Sequence, residues 1–149
     1  METGKENLKF PKEERLHHRS LVEGLFREGH SFYEFPFRVS WRILSDPQLE
    51  KTFCHHVPEK IGPLQMMVTV PKKKRKKAVH RVLMRRRIRE AYRLNRISLR
   101  QEIIGNPNIR TMGIAFVYIH DKNLDFGTLD SKMKTVIAKL MQKLLSNTQ

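Results

Sequence analysis

Four arginines of this chain, Arg81, Arg85, Arg89 and Arg93, recur every four residues, and Arg96 and Arg100 continue a neighbouring row. At 3.6 residues per turn, that spacing lays the guanidinium groups in one stripe along a helix. A guanidinium is a fixed fork of donors that can grip two phosphate oxygens at once, so an ordered row of them suits a structured polyanion backbone. Immediately upstream, Lys72-Lys73-Lys74-Arg75-Lys76-Lys77 gathers six cations between an apolar run and the helix, where a loop can fan them around phosphates. Like charges four apart destabilise an isolated helix by roughly 0.2–0.5 kcal/mol per pair. Such a stripe makes sense when anions occupy it. A solvated helix face is the plain alternative, but solvated faces mix Glu with Lys, and this one has a single acid, Glu90.

The charge total agrees with that placement. The chain has 149 residues, 30 Lys+Arg against 15 Asp+Glu, and a formal net charge of +15. Lys72 to Arg100 holds about 14 of the basic residues and only one acid, so roughly +13 of the surplus sits in a fifth of the chain. A surplus so concentrated is a binding surface rather than a solubility device. Pro71 to Lys77 also reads as a monopartite nuclear import signal, yet it is wedged between a strand and a helix with no flexible linker.

Other chemistry is thin. Cys54-His55-His56 and His17-His18 are adjacent residues that cannot readily wrap one tetrahedral ion, and no second pair stands at ligand spacing. No orienting element supports Cys54 as a nucleophile. Glu13, Glu14, Asp121 and Asp125 show no spacing for paired acid/base work and read as surface charges. No catalytic side chain and no protein-bound metal or cofactor is expected. The single cysteine excludes an intramolecular disulfide scaffold and suggests a reducing compartment. No apolar stretch approaches the roughly 18 residues of a membrane span. The protein is expected to be soluble and cytoplasmic.

A length near 150 residues with 39% hydrophobic content fits one domain, 1–149, with residues 1–9 as a disordered leader. Ser20 and Glu23 form a capping box ahead of Leu21, Val22, Leu25 and Phe26, and Gly29 stops that helix. Phe35, Phe37, Val39, Trp41 and Ile43 alternate with Pro36, Arg38, Ser40 and Arg42, the pattern of a half-buried strand with Trp41 on its core side. Asp46-Pro47 breaks it, and 45–63 reads as a mobile loop. Leu64 to Val70 is a second strand, ended by Pro71. From Lys77 to about Ile104 nothing interrupts a long helix whose Met84, Ile88, Ala91, Tyr92 and Leu99 share a face. Met112 to His120 is a buried central strand, and Leu129, Met133, Val136, Ile137, Leu140 and Leu144 mark a final helix. The fold class is α+β, an α/β sandwich of order α-β-β(-β)-α-β-α with helices on a small mixed sheet.

At the basic segment the chain resembles the protein subunit of bacterial ribonuclease P. That family carries a lysine-rich turn and then a helix of the form Lys-Ala-Val-x-Arg-Asn-Arg-x-Lys-Arg-x-x-Arg-Glu-x-aromatic-Arg. Here the chain reads Lys77-Ala78-Val79-His80-Arg81-Val82-Leu83-Met84-Arg85-Arg86-Arg87-Ile88-Arg89-Glu90-Ala91-Tyr92-Arg93. Phe10, Arg15-Leu16 and Phe26-Arg27-Glu28-Gly29 match its N-terminal pattern. Val82 and Leu83 stand where the family has Asn and Arg, and Lys76 replaces its usual Gly.

The resemblance implies a left-handed connection between the strands flanking the basic helix, against the usual hand. It also implies a partner, the catalytic RNA subunit, with the RNA and its Mg2+ ions carrying out the cleavage. Lys72, Lys73, Lys74, Arg75, Lys77, Arg81, Arg85, Arg86, Arg89 and Arg93 would bind that RNA. The single-stranded 5′ leader of precursor tRNA would lie in a cleft between the first helix and the sheet, lined by Arg15, Phe26, Arg38, Ser40 and Arg42. Single strands are held by positive grooves and by rings that stack on bases, although core packing is the other reading of Phe26. A monomer in the complex is expected. The competing classes are a structural, ribosomal-type RNA-binding protein without a role in cleavage, and a basic DNA-binding protein. The latter would need Asn or Gln beside the arginines of its recognition helix.

Overall fold

The computed structural model describes residues 11–54 and 56–147. The expected leader 1–9, Phe10 and His55 lie outside the described residues. A 3-10 turn, Lys12–Glu14, leads into helix α1, Arg19–Glu28. Strands β1, His30–Glu34, and β2, Phe37–Leu44, follow, and then helix α2, Asp46–Thr52. Strand β3, Leu64–Thr69, precedes helices α3, Ala78–Asn95, and α4, Ile97–Ile104. Strand β4, Thr111–Tyr118, and helix α5, Phe126–Asn147, complete the described chain.

The sheet order is β1-β2-β4-β3, with β3 parallel to β4 and the other pairs antiparallel. The Met112–His120 run is thus the central strand it was expected to be, flanked by β2 and β3. Period-2 alternation then decides which face each side chain covers. Phe37, Val39 and Trp41 of β2, with Met112, Ile114, Phe116 and Tyr118 of β4, pack against α3, α4 and α5. From the helices this core receives Met84, Ile88, Ala91 and Tyr92 and the whole Leu129–Leu144 stripe. The opposite face carries a smaller core in which Leu21 and Leu25 of α1 meet Leu44, Leu49, Ile61, Leu16 and Ala115.

Several expectations change. Helix α1 begins at Arg19 with His18 as its N-cap and no side-chain cap bond, so Ser20 and Glu23 do not form a box. Glu23 instead pairs with Arg19 one turn earlier, at 2.6 Å. Phe35 lies in the turn between β1 and β2 and is half exposed, so the buried alternation starts at Phe37. The 45–63 segment is not a plain loop. Ser45 accepts from the Gln48 amide while the Gln48 side chain accepts from the Ser45 amide, a capping box that starts α2 with Pro47 in its first turn. Buried Leu49 and Ile61 anchor the segment. The long helix is two helices, broken at Arg96.

Candidate nucleic-acid interface

Three rows of even-face residues run across the sheet. The row Arg42–Gly113–Gln65 and the row Ser31–Ser40–Ala115–Met67 lie nearer the Leu44 end of β2. The third row, Tyr33–Arg38–Val117–Thr69, has exposed or half-buried members throughout. Helix α2 follows the Leu44 end of β2, and the flank of α1 turned toward it carries Ser20, Glu23, Gly24 and Arg27, which leaves the opposite flank turned away from α2. Helical geometry puts Val22 and Phe26, one turn apart, on that flank, with Leu21 and Leu25 pointing down into the core. Phe26 is 51% exposed, which settles against core packing for it. Trp41 is 6% exposed and belongs to the core.

This side of the protein exposes an aromatic on α1 and, on the outer row of the sheet, an aromatic with a guanidinium beside it. Tyr33, 68% exposed, has the Arg38 guanidinium 6.0 Å from its ring centroid. Sequence reasoning passed over Tyr33. Its signal was faint, a five-residue polar strand, but Phe32-Tyr33 before a turn is aromatic and β-forming.

The cleft does not hold every residue assigned to it. Ser40 is 5% exposed and contributes floor rather than reach. Arg42 runs under α1 into the separate groove between α1 and α2, whose walls include Glu28, Gln48 and Lys51. There it pairs with Glu28 at 2.9 Å and lies flush on Gly24, where a Cβ would stand 2.3 Å from its Nη1 atom. Phe26 and Arg42 are therefore on opposite flanks of α1.

The basic constellation divides in the same way. Arg75 donates to the Asn123 side chain at 3.0 Å and to the Asp121 carbonyl, latching the lysine turn onto the loop between β4 and α5. Arg81 donates to the carbonyls of Arg75 and Lys76, at 3.0 and 2.7 Å. Arg87 reaches the Leu124 carbonyl at 2.7 Å, and Arg93 makes two bonds to Glu90. These four side chains are invested in the fold. Arg85, Arg86 and Arg89 make no hydrogen bond or ion pair among the described residues. Partial burial, then the charges of Arg15 and Arg85, hold the Arg89 guanidinium below the ordinary arginine value. Arg15, expected in the leader cleft, has its backbone bridged to Met66 on the outer edge of β3, and its charge acts on Arg89. Lys72, Lys73 and Lys77 are exposed in the turn, and Lys74 is half-buried.

Arg96 does not continue the stripe. It is 1% exposed and donates from Nε to Glu14 at 2.6 Å and from Nη2 at 3.2 Å. Glu14 is itself 2% exposed, so it is no surface charge. The pair spans 82 residues of chain, which is why neither partner shows in the sequence pattern. Cys54 is exposed, and among the described residues no three His, Cys, Asp or Glu side chains converge at metal-binding spacing.

A helix presenting arginines that make no ion pair among the described residues, beside a lysine turn, defines an RNA-binding class of protein. Comparison with known proteins narrows the class. The ribonuclease P family model matches residues 10–142. The ribonuclease P protein components of two Porphyromonas gingivalis strains are 31% identical over 129 residues, covering 87% of this chain and 84% of theirs. The fold is that of the Staphylococcus aureus RNase P protein, with TM-score 0.58 and 16% identity over 85% of this chain and 94% of that one. It is also that of the Thermotoga maritima RNase P protein, with TM-score 0.56 and 20% identity over 85% and 96% of the two chains. The chain belongs to the ribonuclease P protein family, whose role is to assist an RNA subunit in maturing the 5′ end of tRNA.

Proposed function

We propose that this chain docks on the RNA subunit of ribonuclease P through the outward face of α3 and the lysine turn, and holds the precursor's 5′ leader on the open end of its sheet. The observation that carries the reading is the division among the arginines. Arg75, Arg81, Arg87 and Arg93 spend their donors on the protein, whereas Arg85, Arg86 and Arg89 keep theirs, in a cluster that Arg15 joins. Arg85, Arg86 and Arg89 make no ion pair among the described residues, and their charge is satisfied when phosphates enter.

The chemistry is assigned to the RNA and to Mg2+ held on it, with the protein contributing position and electrostatics. A monomer in the complex, working in the cytoplasm, completes the reading. On the sheet face, Tyr33 and Phe26 offer rings to leader bases without reading their identity, and Arg38 faces the backbone.

The test compares precursor tRNAs carrying a leader of several nucleotides and of one nucleotide, bound to the reconstituted RNA–protein complex. The longer leader binds more tightly, and a Phe26→Ala/Tyr33→Ala variant loses most of that difference while binding the RNA subunit normally. A leader-length effect that survives both substitutions would remove the cleft from the account.

A further inference from the structure

His80 stands in the first turn of α3, and its half-buried ring lines the same recess as the cations of the 72–77 turn. The ring is tied to that turn through Asn123. The Arg75 Nε atom donates to the Asn123 Oδ1 atom at 3.0 Å, and the Asn123 Nδ2 and His80 Nδ1 atoms lie 2.8 Å apart. Asn123 is braced on both sides along the chain. The Lys122 carbonyl accepts from the Tyr118 hydroxyl, and the Leu124 carbonyl accepts from Arg87 at 2.7 Å.

A guanidinium has donors and no acceptor, so the amide oxygen of Asn123 faces Arg75 and its NH2 group faces His80. An NH2 group only donates. That leaves His80 Nδ1 as an acceptor and puts the proton of the neutral ring on Nε2. Arg75 thus sets the tautomer of His80 across Asn123. The Nε2 N–H makes no bond among the described residues, and it is open to solvent rather than sealed in the core. An anion drawn into the recess by the lysines, which are flexible point charges, meets there a ring donor fixed in direction.

We propose that His80 contacts an RNA phosphate as a neutral donor, with its tautomer fixed by the Arg75–Asn123 relay and Asn123 as its positioning residue. The inference rests on the reading of the lysine turn as part of the surface that docks on the RNA subunit, and it adds two uncharged side chains to that surface. Their contribution differs in kind from that of the cations. A cation that meets a phosphate releases counterions and steepens the salt dependence, whereas a neutral N–H releases none. His80 therefore adds affinity and direction without adding salt slope.

The experiment measures binding of the full chain to the in vitro transcribed RNA subunit between about 50 and 200 mM salt. It also records the His80 ring nitrogens by proton–nitrogen NMR at about pH 8, where an ordinary imidazole is neutral. The variants are His80→Ala, Lys73→Ala/Lys76→Ala and Asn123→Asp, with folding checked by circular dichroism. His80→Ala should weaken binding about tenfold at every salt concentration and keep the parent's slope. The lysine double variant should lower the slope by about 1.4–1.8. In the parent the ring proton should sit on Nε2, and that resonance should move when the RNA is added. Asn123→Asp, which offers only acceptors, should put a proton on Nδ1. If the lysine double variant keeps the parent's affinity and slope, the turn is not the docking surface and the proposal falls with that reading. If it flattens the slope while folded His80→Ala binds like the parent, the His80 contact alone is overturned. A His80→Ala slope lowered by a full cation contact overturns the neutral-donor role. A proton on Nδ1 in the parent, or none there in Asn123→Asp, overturns the relay. Should His80→Ala fail to fold, the parent's spectra decide: an Nε2 resonance unmoved by saturating RNA overturns the contact.

Discussion

Replacing Arg85 and Arg89 together by alanine should change how RNA binding responds to salt more than it changes the protein. Neither side chain makes a hydrogen bond or ion pair among the described residues, so the fold loses little when they go. Each phosphate contact releases counterions and contributes about 0.7–0.9 to the slope of log affinity against log salt. Two lost contacts lower that slope by about 1.4–1.8. Over a fourfold rise from 50 to 200 mM, the affinity advantage of the parent over the variant should shrink about tenfold. Filter binding or fluorescence anisotropy with the RNA subunit reads this directly. Arg87→Ala is the matched control, because its guanidinium is spent on the Leu124 carbonyl at 2.7 Å, part-buried. It should cost about 1–2 kcal/mol of stability and leave the slope alone. Parallel salt lines for the parent and the double variant would refute the assignment of Arg85 and Arg89 to phosphates, whatever the absolute affinities.

Met84→Ala removes a fully buried side chain from between α3 and the sheet and should cost about 2–5 kcal/mol in urea unfolding. A loss under about 1 kcal/mol would mean that this core repacks freely. Asp130 accepts from Lys134 and from Asn95, and those bonds hold its carboxyl below the ordinary carboxylate value. Its contribution is therefore present above the ordinary carboxylate range and lost as pH falls through its lowered value, so the stability gap between parent and Asp130→Asn should close on acidification. A gap that is constant down to pH 2.5 would contradict this. Burial raises the Tyr118 hydroxyl to about 12. The folded state resists its ionisation, so stability should decline as pH rises past the ordinary tyrosine value near 10, and Tyr118→Phe should flatten part of that decline in alkaline thermal melts.

What the chain shows on its face follows from the range of the forces involved. The stripe Met84, Ile88, Ala91 and Tyr92 and the stripe Leu129 to Leu144 are local patterns, and both are buried as their periodicity predicts. The helix α2 was also legible, since Ser45-x-x-Gln48 is a capping signature, but Asp46-Pro47 reads equally as a breaker until the capping bonds decide. The Glu14–Arg96 pair could not be read, because two ordinary charged residues 82 positions apart carry no mark of meeting. The arginine stripe was legible as a stripe. Which of its members face outward was not, because Arg81 and Arg85 are alike in type and spacing and differ only in the carbonyls that folding brings to Arg81. Arg42 failed as a cleft residue for a related reason. Its alternation with Arg38 was right, but α1 covers one end of that face and leaves the other open.

Assisting an RNA subunit in maturing the 5′ end of tRNA is the role of this chain's family. Its most direct test adds the purified protein to the cognate RNA subunit and a precursor tRNA at a magnesium concentration where the RNA alone is nearly inactive. Stimulated cleavage at the mature 5′ end, reduced when Arg85 and Arg89 are both alanine, is the predicted result. Cleavage at the RNA-only rate, with the protein folded and bound to the RNA, would contradict the account.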